Sequence, residues 1–170
     1  MVWRPSIVVG RQLDGRTHGF HGYYGFFSGF ALLKRQLLGR WSRDQERSRR
    51  DGFEFDRAGN LLLHEPLYID YSRESTLNLV PIDWVVSSMS DLMERAEWGT
   101  AYTLACNRPP KVAWVIEKSF EIMGIKGVKR LAREPVTYAD GHRFWSVVQQ
   151  NINGQLERFW PYVNREIMFA

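Results

Sequence analysis

Apolar residues along the chain recur every three to four positions in several stretches, a spacing typical of amphipathic helices. The predicted helices cover residues 23–37, 81–98, 110–123 and, as a final pair, 140–160. Three glycines, Gly39, Gly99 and Gly124, follow the first three stretches and are expected to end those helices. Pro161 follows the last stretch and cannot continue a helix.

Short alternating or apolar runs predict strands between these helices. The first strand is expected over residues 2–9, where Pro5 removes one hydrogen-bond donor, and another over residues 101–106. Phe53 and Phe55 alternate with polar residues ahead of a turn at residues 56–60, and Leu61 begins the return, which predicts a small hairpin. The stretch from there to Thr76 is expected to be irregular.

Strands that alternate with helices favour an α/β class with few short parallel strands, several helices and the small hairpin. The 170 residues suffice for one domain with its own core, so residues 1–170 are expected to form a single domain. Cys106 is the only cysteine, which excludes an internal disulfide framework and favours a reducing, cytoplasmic location.

The net charge of +4 is concentrated in one segment. Residues 34–50 hold seven basic and two acidic residues, a net of +5, so the rest of the chain is slightly acidic. The preferred interpretation is a solvated helix end that runs into a mobile loop. A patch for nucleic acid or anionic lipid is the alternative, with nucleic acid disfavoured because few aromatic residues accompany the charges.

The motifs for cofactors and metals are weak. Gly19, Gly22 and Gly25 match a dinucleotide-binding spacing, but they lie ten residues beyond the strand and among bulky aromatic residues. A close-packed aromatic helix explains them better. His18 and His21 have no third ligand nearby, so no metal site is expected. The stretch 19–33 is too short and too polar to span a bilayer, although an interfacial helix remains an alternative.

Three segments resemble the extended short-chain dehydrogenases/reductases, in particular their thioester- and fatty-acyl-CoA-reductase-like branch. These segments are Arg4-Pro5-Ser6-Ile7-Val8-Val9-Gly10, Asn78-Leu79-Val80-Pro81-Ile82-Asp83-Trp84-Val85, and Ala101-Tyr102-Thr103-Leu104-Ala105 followed by the double proline at 109–110. They are similar to the segment after the catalytic helix, to a strand-to-helix junction and to the next strand and helix of that family. The resemblance implies an incomplete Rossmann-like fold.

The chain departs from that family in its catalytic and nucleotide-binding parts. No tyrosine has a lysine four residues later, so the Tyr-x-x-x-Lys acid is missing, and so is the glycine fingerprint. The resemblance therefore implies a substrate-side portion that is not catalytic alone. NAD(P) is expected only where a partner or an upstream segment supplies the nucleotide-binding half, and the chain alone is not expected to bind NADPH tightly.

The resemblance also assigns residues to a site. Pro5, Ser6, Ile7 and Val8 would lie beside the nicotinamide. Phe20, His21 and Tyr24 would line the pocket for an acyl or carbonyl substrate. Core packing is the alternative for all seven residues.

Without that half, the first strand is expected to be an unpaired apolar edge, and the helices at residues 19–38 and 82–98 are expected to lose part of their cover. The chain would therefore form a homodimer or higher oligomer that buries Val2, Trp3, Ile7 and aromatic residues of segment 19–30, or bind a separate nucleotide-binding half. Two other functions stay open. One is a non-enzymatic oligomerisation or interaction domain, and the other is a peripheral membrane module.

Overall fold

A computed structural model describes residues 1–19, 23–131 and 143–157 as a mixed α/β structure. The strands are β1 (Val2–Pro5), β2 (Ile7–Val9), β3 (Phe53–Phe55), β4 (Leu61–Ile69), β5 (Leu79–Pro81), β6 (Ala101–Leu104) and β7 (Ile125–Arg130). The helices are α1 (Tyr23–Trp41), α2 (Gln45–Arg50), α3 (Ile82–Met93), α4 (Val112–Met123) and α5 (Arg143–Leu156). The α/β class predicted from the sequence is confirmed.

The N-terminal segment pairs with two different strands, both in parallel. β1 lies beside β6, and β2 lies beside β5. Ser6 stands between the two pairings: its amide donates to the Leu104 carbonyl at 2.9 Å and its hydroxyl donates to the Asn78 carbonyl at 2.8 Å. The predicted strand 2–9 therefore exists as two short strands, and it is paired along most of its length.

The side chain of Asn78 ties the start of β5 to the end of β6. Its amide nitrogen donates to the Cys106 carbonyl at 2.9 Å, and its oxygen accepts the Cys106 amide at 2.8 Å. Because one amide satisfies both backbone groups, β5 and β6 are held at a fixed distance although they do not pair with each other.

A separate mixed sheet contains the predicted hairpin. β3 pairs antiparallel with β4, with Phe53 opposite Leu63, which confirms the hairpin. β4 continues to Ile69, so the prediction of an irregular stretch from the hairpin onward is wrong in its first part. β4 also pairs in parallel with β7, a strand that the sequence did not predict, with a register shift between Leu62 and Leu67.

Of the three helix ends that the sequence predicted at glycines, the structure confirms one. α4 ends at Met123, and Gly124 forms its C-cap in the left-handed conformation, with φ of 60°, as predicted. α3 ends at Met93, five residues before the predicted end. α1 continues through Gly39 to Trp41, so Gly39 does not end that helix.

The basic segment is a largely exposed helix end, as expected, but it leads into the short helix α2 and not into a loop, so that part of the preferred interpretation is wrong. The Asp44 carboxylate accepts the Arg47 amide at 2.9 Å and so caps α2. Arg40 forms an ion pair with Asp51 and lies 4.7 Å from the centre of the Phe144 ring. These contacts fix the end of α1 against α2 and α5.

The buried apolar residues fall into a large and a small cluster. The large one joins α1, β3, β4, β7, α4 and α5, and its fully buried members include Phe53, Leu61, Val112 and Trp145. The small one consists of Val80, Val85 and Leu104, with partly buried neighbours such as Trp3. The parallel strand pairs and α3 therefore rest on a thin core.

Some predictions concern parts of the chain outside the described residues. Phe20, His21 and Gly22 lie there, and so do the last predicted helix beyond residue 157 and its stop at Pro161. In the described ranges, the structure holds no helix that is both long enough and apolar enough to cross a membrane.

Candidate functional site

A cavity of about 690 Å³ lies at the carboxyl end of β2. Its walls are the end of β2, the loop 10–19, the first turn of α1 and the first two turns of α3. The apolar lining comes from Val8, Val9, Tyr24, Ile82 and Val86. The cavity is concave and largely apolar with a few polar groups, which is typical of a ligand site.

Gly10 allows the loop 10–19 to close tightly at the edge of this cavity. A Cβ atom on Gly10 would lie 2.8 Å from the carbonyl oxygens of both Gly15 and Arg16. The Gly10 amide donates to the Tyr24 hydroxyl at 2.7 Å. Gly15 forms the turn of this loop after Asp14, with φ of 68°. The close approach at Gly10 fixes both the loop and the Tyr24 ring in the wall.

Asp83 attaches the middle of the loop to the start of α3. Its carboxylate accepts the Gln12 amide at 2.9 Å and the Leu13 amide at 3.3 Å. These backbone hydrogen bonds, chiefly the one from Gln12, lower the pKa of Asp83 below its ordinary value. The carboxylate therefore stays ionised and holds the loop over the cavity.

Arg11 and Arg16 also belong to the lining of the cavity. Arg11 lies 3.4 Å and Arg16 lies 3.6 Å from the same Asp14 carboxylate oxygen. Both distances exceed the 2.7–2.9 Å typical of a charge-assisted hydrogen bond. Thr17, His18 and Ser87 complete the polar lining.

The four residues assigned to the nicotinamide do not share one face. Val8 is exposed and lines the cavity. Ile7 packs against the large cluster, and Ser6 is buried with its hydroxyl on the Asn78 carbonyl. Pro5 is exposed on β1. Of the four, Val8 is therefore placed to touch a ligand in this cavity, whereas the oxygen of Ser6 is not aimed into it.

Of the residues assigned to the substrate, Tyr24 lies in the cavity wall. Phe20 and His21 lie outside the described residues, so their assignment stays a prediction. The neighbouring Tyr23 faces elsewhere: its hydroxyl lies 2.9 Å from that of Ser119, and burial is the main reason why its pKa is raised.

The sequence did not single out Arg11, Arg16 or Asp83 for this site. A charged pair that flanks the Asp14-Gly15 turn was a visible signal for the two arginines. Asp83 lies 71 residues from Gln12, and no local pattern announces a contact at that separation. In the described part of the chain, no three His, Cys, Asp or Glu side chains form a group that could hold a metal ion.

The chain was compared with protein-family models, with curated proteins and with solved structures, and none of the three comparisons found a match.

Proposed function

We propose that this chain is the substrate-binding portion of an NAD(P)-dependent extended short-chain reductase with an incomplete Rossmann-like fold. It acts on an acyl thioester or a similar carbonyl substrate and is not catalytic alone. The observation that carries the proposal is the cavity at the carboxyl end of β2, with Val8 and Tyr24 in its wall. The three segments that resemble this family support it, because together they contribute strands to both parallel pairs, and the β2–β5 pair borders the cavity.

The exposed apolar residues also support the proposal. Several lie on β1, on α3 and just beyond α3, among them Val2, Met93 and Trp98, the last of which is 95% exposed. These elements rest on the small cluster, which has three buried members. Exposed apolar side chains over a thin core support a face that another protein segment covers. In this proposal, the nucleotide-binding half covers it.

The roles of the chain's own residues follow from this arrangement. Val8, Ile82 and Val86 offer an apolar surface for an acyl chain, while Gly10 and Asp83 hold the loop that forms the rim. NAD(P), bound mainly by the other half, would supply the hydride. Among the residues of this chain assigned to the cofactor, Val8 lines the cavity and would contact the nicotinamide. Ser6 would not, because its hydroxyl donates to the Asn78 carbonyl.

The test is the binding of S-octanoylpantetheine, a neutral acyl thioester, to the purified chain by calorimetry. We expect binding that Val86→Trp weakens, because the bulkier indole obstructs part of the apolar wall. Ile122→Trp is the matched control: Ile122 is 78% exposed on α4, away from the cavity. NADPH should not bind tightly. Absence of thioester binding would overturn the substrate role. Low-micromolar binding of NADPH would overturn the claim that a separate half binds the nucleotide.

A second function, self-association as an interaction domain, is favoured by the same exposed surface. Ile82, Val86 and Met93 follow one another at four and seven residues along α3, so they form one exposed apolar stripe. A second copy of the chain could cover this stripe. The residues that the sequence predicted to be buried by association, on the first strand and in segment 19–30, are not part of this stripe. Of those in segment 19–30, Phe26 and Phe30 are buried within the large cluster of the chain itself.

A further inference from the structure

The side of α1 that faces away from the large cluster is open to solvent. Its exposed residues recur at three- and four-residue intervals and so form one face: Ser28, Ala31, Leu32, Arg35, Leu38 and Gly39. Leu32 and Leu38 are 50% and 44% exposed. A methyl group on Gly39 would meet no neighbouring atom within 4 Å, so no other element stands over the face at that point. This outer face of α1 is therefore a partly apolar surface that is open to a partner.

Exposed arginines without a carboxylate partner accompany this face. Those that form no ion pair with a described residue are Arg35, Arg43, Arg47 and Arg50. The ion pairs of α1 and α2 engage Arg40 and Arg49 instead. The Nε of Arg43 donates to the Gly39 carbonyl at 2.9 Å, which holds this guanidinium at the end of the outer face. Arg35 lies one turn before Gly39, so these two cations flank the apolar strip.

The negative charges nearby do not balance the positive ones. Residues 34–54 contain seven basic and four acidic side chains, a net of +3. Of the four carboxylates, Asp51 and Glu54 already form ion pairs, and Asp44 accepts the Arg47 amide as the cap of α2. α1 itself contains no Asp or Glu. The end of α1 and α2 therefore present an excess of positive charge, which attracts a negatively charged partner.

The exposed leucines favour a lipid surface over nucleic acid as that partner. A bilayer interface accepts both the apolar side chains of Leu32 and Leu38 and the cations beside them. A phosphate backbone would leave the leucines in water. Bases would need an aromatic ring to stack on. The nearest ring, that of Trp41, is half-buried: it packs 6.3 Å from the Phe55 ring and lies 5.0 Å from the Arg49 guanidinium.

We propose that the outer face of α1 and the arginines that follow it bind the surface of an anionic lipid bilayer. Leu32 and Leu38 enter the interface, while Arg35 and Arg43 contact the headgroup phosphates, with the arginines of α2 adding to the attraction. None of these residues lines the cavity at the end of β2, so the inference is independent of the proposed function.

The first test is co-sedimentation of the purified chain with vesicles of two compositions. One is phosphatidylcholine alone, and the other contains about 30 mol% phosphatidylserine. We expect the anionic vesicles to bind the chain roughly tenfold more tightly at about 50 mM NaCl, and most of this difference to vanish at about 0.5 M NaCl, where exposed charges are screened. Equal binding to the two compositions, or binding to neither, would overturn the inference.

The variant Arg35→Gln/Arg43→Gln assigns the charged contribution to the outer face. It should weaken binding to the anionic vesicles about twentyfold, since each arginine near such a surface contributes about a factor of five. The matched control is Arg95→Gln/Arg108→Gln, which removes two exposed positive charges just after α3 and after β6. The control should retain vesicle binding. An equal loss in both variants would show that the overall charge of the chain, and not this face, is responsible.

The variant Leu32→Ser/Leu38→Ser separates a bilayer from nucleic acid. It should weaken vesicle binding about fivefold, because less apolar area leaves water. Trp114→Ser/Ile122→Ser, at apolar positions of α4 that are at least as exposed, should have no such effect. Circular dichroism checks that all variants stay folded. Vesicle binding that ignores the leucines, or tighter binding to a DNA duplex of about 30 base pairs than to the anionic vesicles, would overturn the inference in favour of a nucleic-acid surface.

Discussion

The carboxylate of Asp83 accepts the backbone amide of Gln12 at 2.9 Å, across 71 residues of sequence. It thereby joins the first turn of α3 to the loop that follows β2. The second oxygen of the same carboxylate reaches the Gln12 amide at 3.1 Å and the Leu13 amide at 3.3 Å. These hydrogen bonds, together with the one from the Gly10 amide to the Tyr24 hydroxyl, hold the loop at the edge of the cavity.

Replacing Asp83 with Asn should loosen the loop without unfolding the chain. An amide oxygen accepts hydrogen bonds less strongly than a carboxylate does. We expect faster hydrogen exchange at the Gln12 and Leu13 amides, measured by NMR. Asp91→Asn is the control, because Asp91 lies exposed on the same helix, and it should leave both amides unchanged.

The pH dependence of this loop follows from the lowered pKa of Asp83. The folded-state pKa lies below the unfolded value, so the stabilisation is fully present above the unfolded value and is lost as the pH falls through the folded one. Protection of the Gln12 amide should therefore persist at neutral pH and decline below the ordinary Asp value of 3.8. In Asp83→Asn this decline should be absent, and a decline that persists there would contradict the assignment.

Gly10 and Gly39 should respond in opposite directions to replacement by alanine. In Gly10→Ala the new methyl group meets two carbonyl oxygens at 2.8 Å, and we expect a loss of about 1–3 kcal/mol of unfolding free energy. In Gly39→Ala the methyl group meets no atom within 4 Å inside α1, so helix propensity should add up to about 1 kcal/mol. Urea denaturation measures both, and an equal effect at the two sites would refute the close approach at Gly10.

The sequence predicted the elements whose signals are local. The hairpin was predicted from the alternation at Phe53 and Phe55, and the end of α4 from Gly124. It missed β7, because Ile125–Arg130 has two strongly apolar residues among lysines, an arginine and a glycine. That strand forms through its pairing with β4, more than fifty residues earlier. Local propensity cannot report such a pairing.

The basic segment shows how tertiary contacts override a local stop signal. Gly39 predicted a helix end, but α1 continues to Trp41, whose ring packs 6.3 Å from that of Phe55. The cap at Asp44 was readable from the sequence, since Asp favours the N-cap position. Val8 and Tyr24 are the lining residues of the cavity that the sequence assigned to a site. The rim could not be predicted, because it depends on the contact of Asp83 with a loop 71 residues away.

Gln149 should contribute to stability through a contact with the backbone of β4. Its side-chain oxygen accepts the Tyr68 amide at 2.8 Å, and its nitrogen donates to the Tyr68 carbonyl at 2.7 Å. Because Gln149 is buried, Gln149→Ala leaves the Tyr68 amide and carbonyl without this partner, which should lower the free energy of unfolding by about 1–3 kcal/mol. Gln150→Ala, at the exposed neighbouring position, should change the unfolding free energy by less than about 0.5 kcal/mol.

The exposed stripe on α3 predicts that the isolated chain self-associates. Val86 and Met93 are 56% and 66% exposed, and Trp98 beyond them is 95% exposed. Burial of this surface between two copies would remove apolar area from water without unfolding either copy. Light scattering on a sizing column should show a concentration-dependent dimer or higher oligomer.

The variant Val86→Glu/Met93→Glu should shift this equilibrium to the monomer, because association would then bury unpaired carboxylates. Ile122→Glu, at an equally exposed apolar position on α4, should leave the oligomer intact. A loss of association in both variants would show that general hydrophobicity, and not the α3 stripe, drives it. A wild-type chain that stays monomeric at high concentration and binds little hydrophobic dye would show that no second copy covers this face.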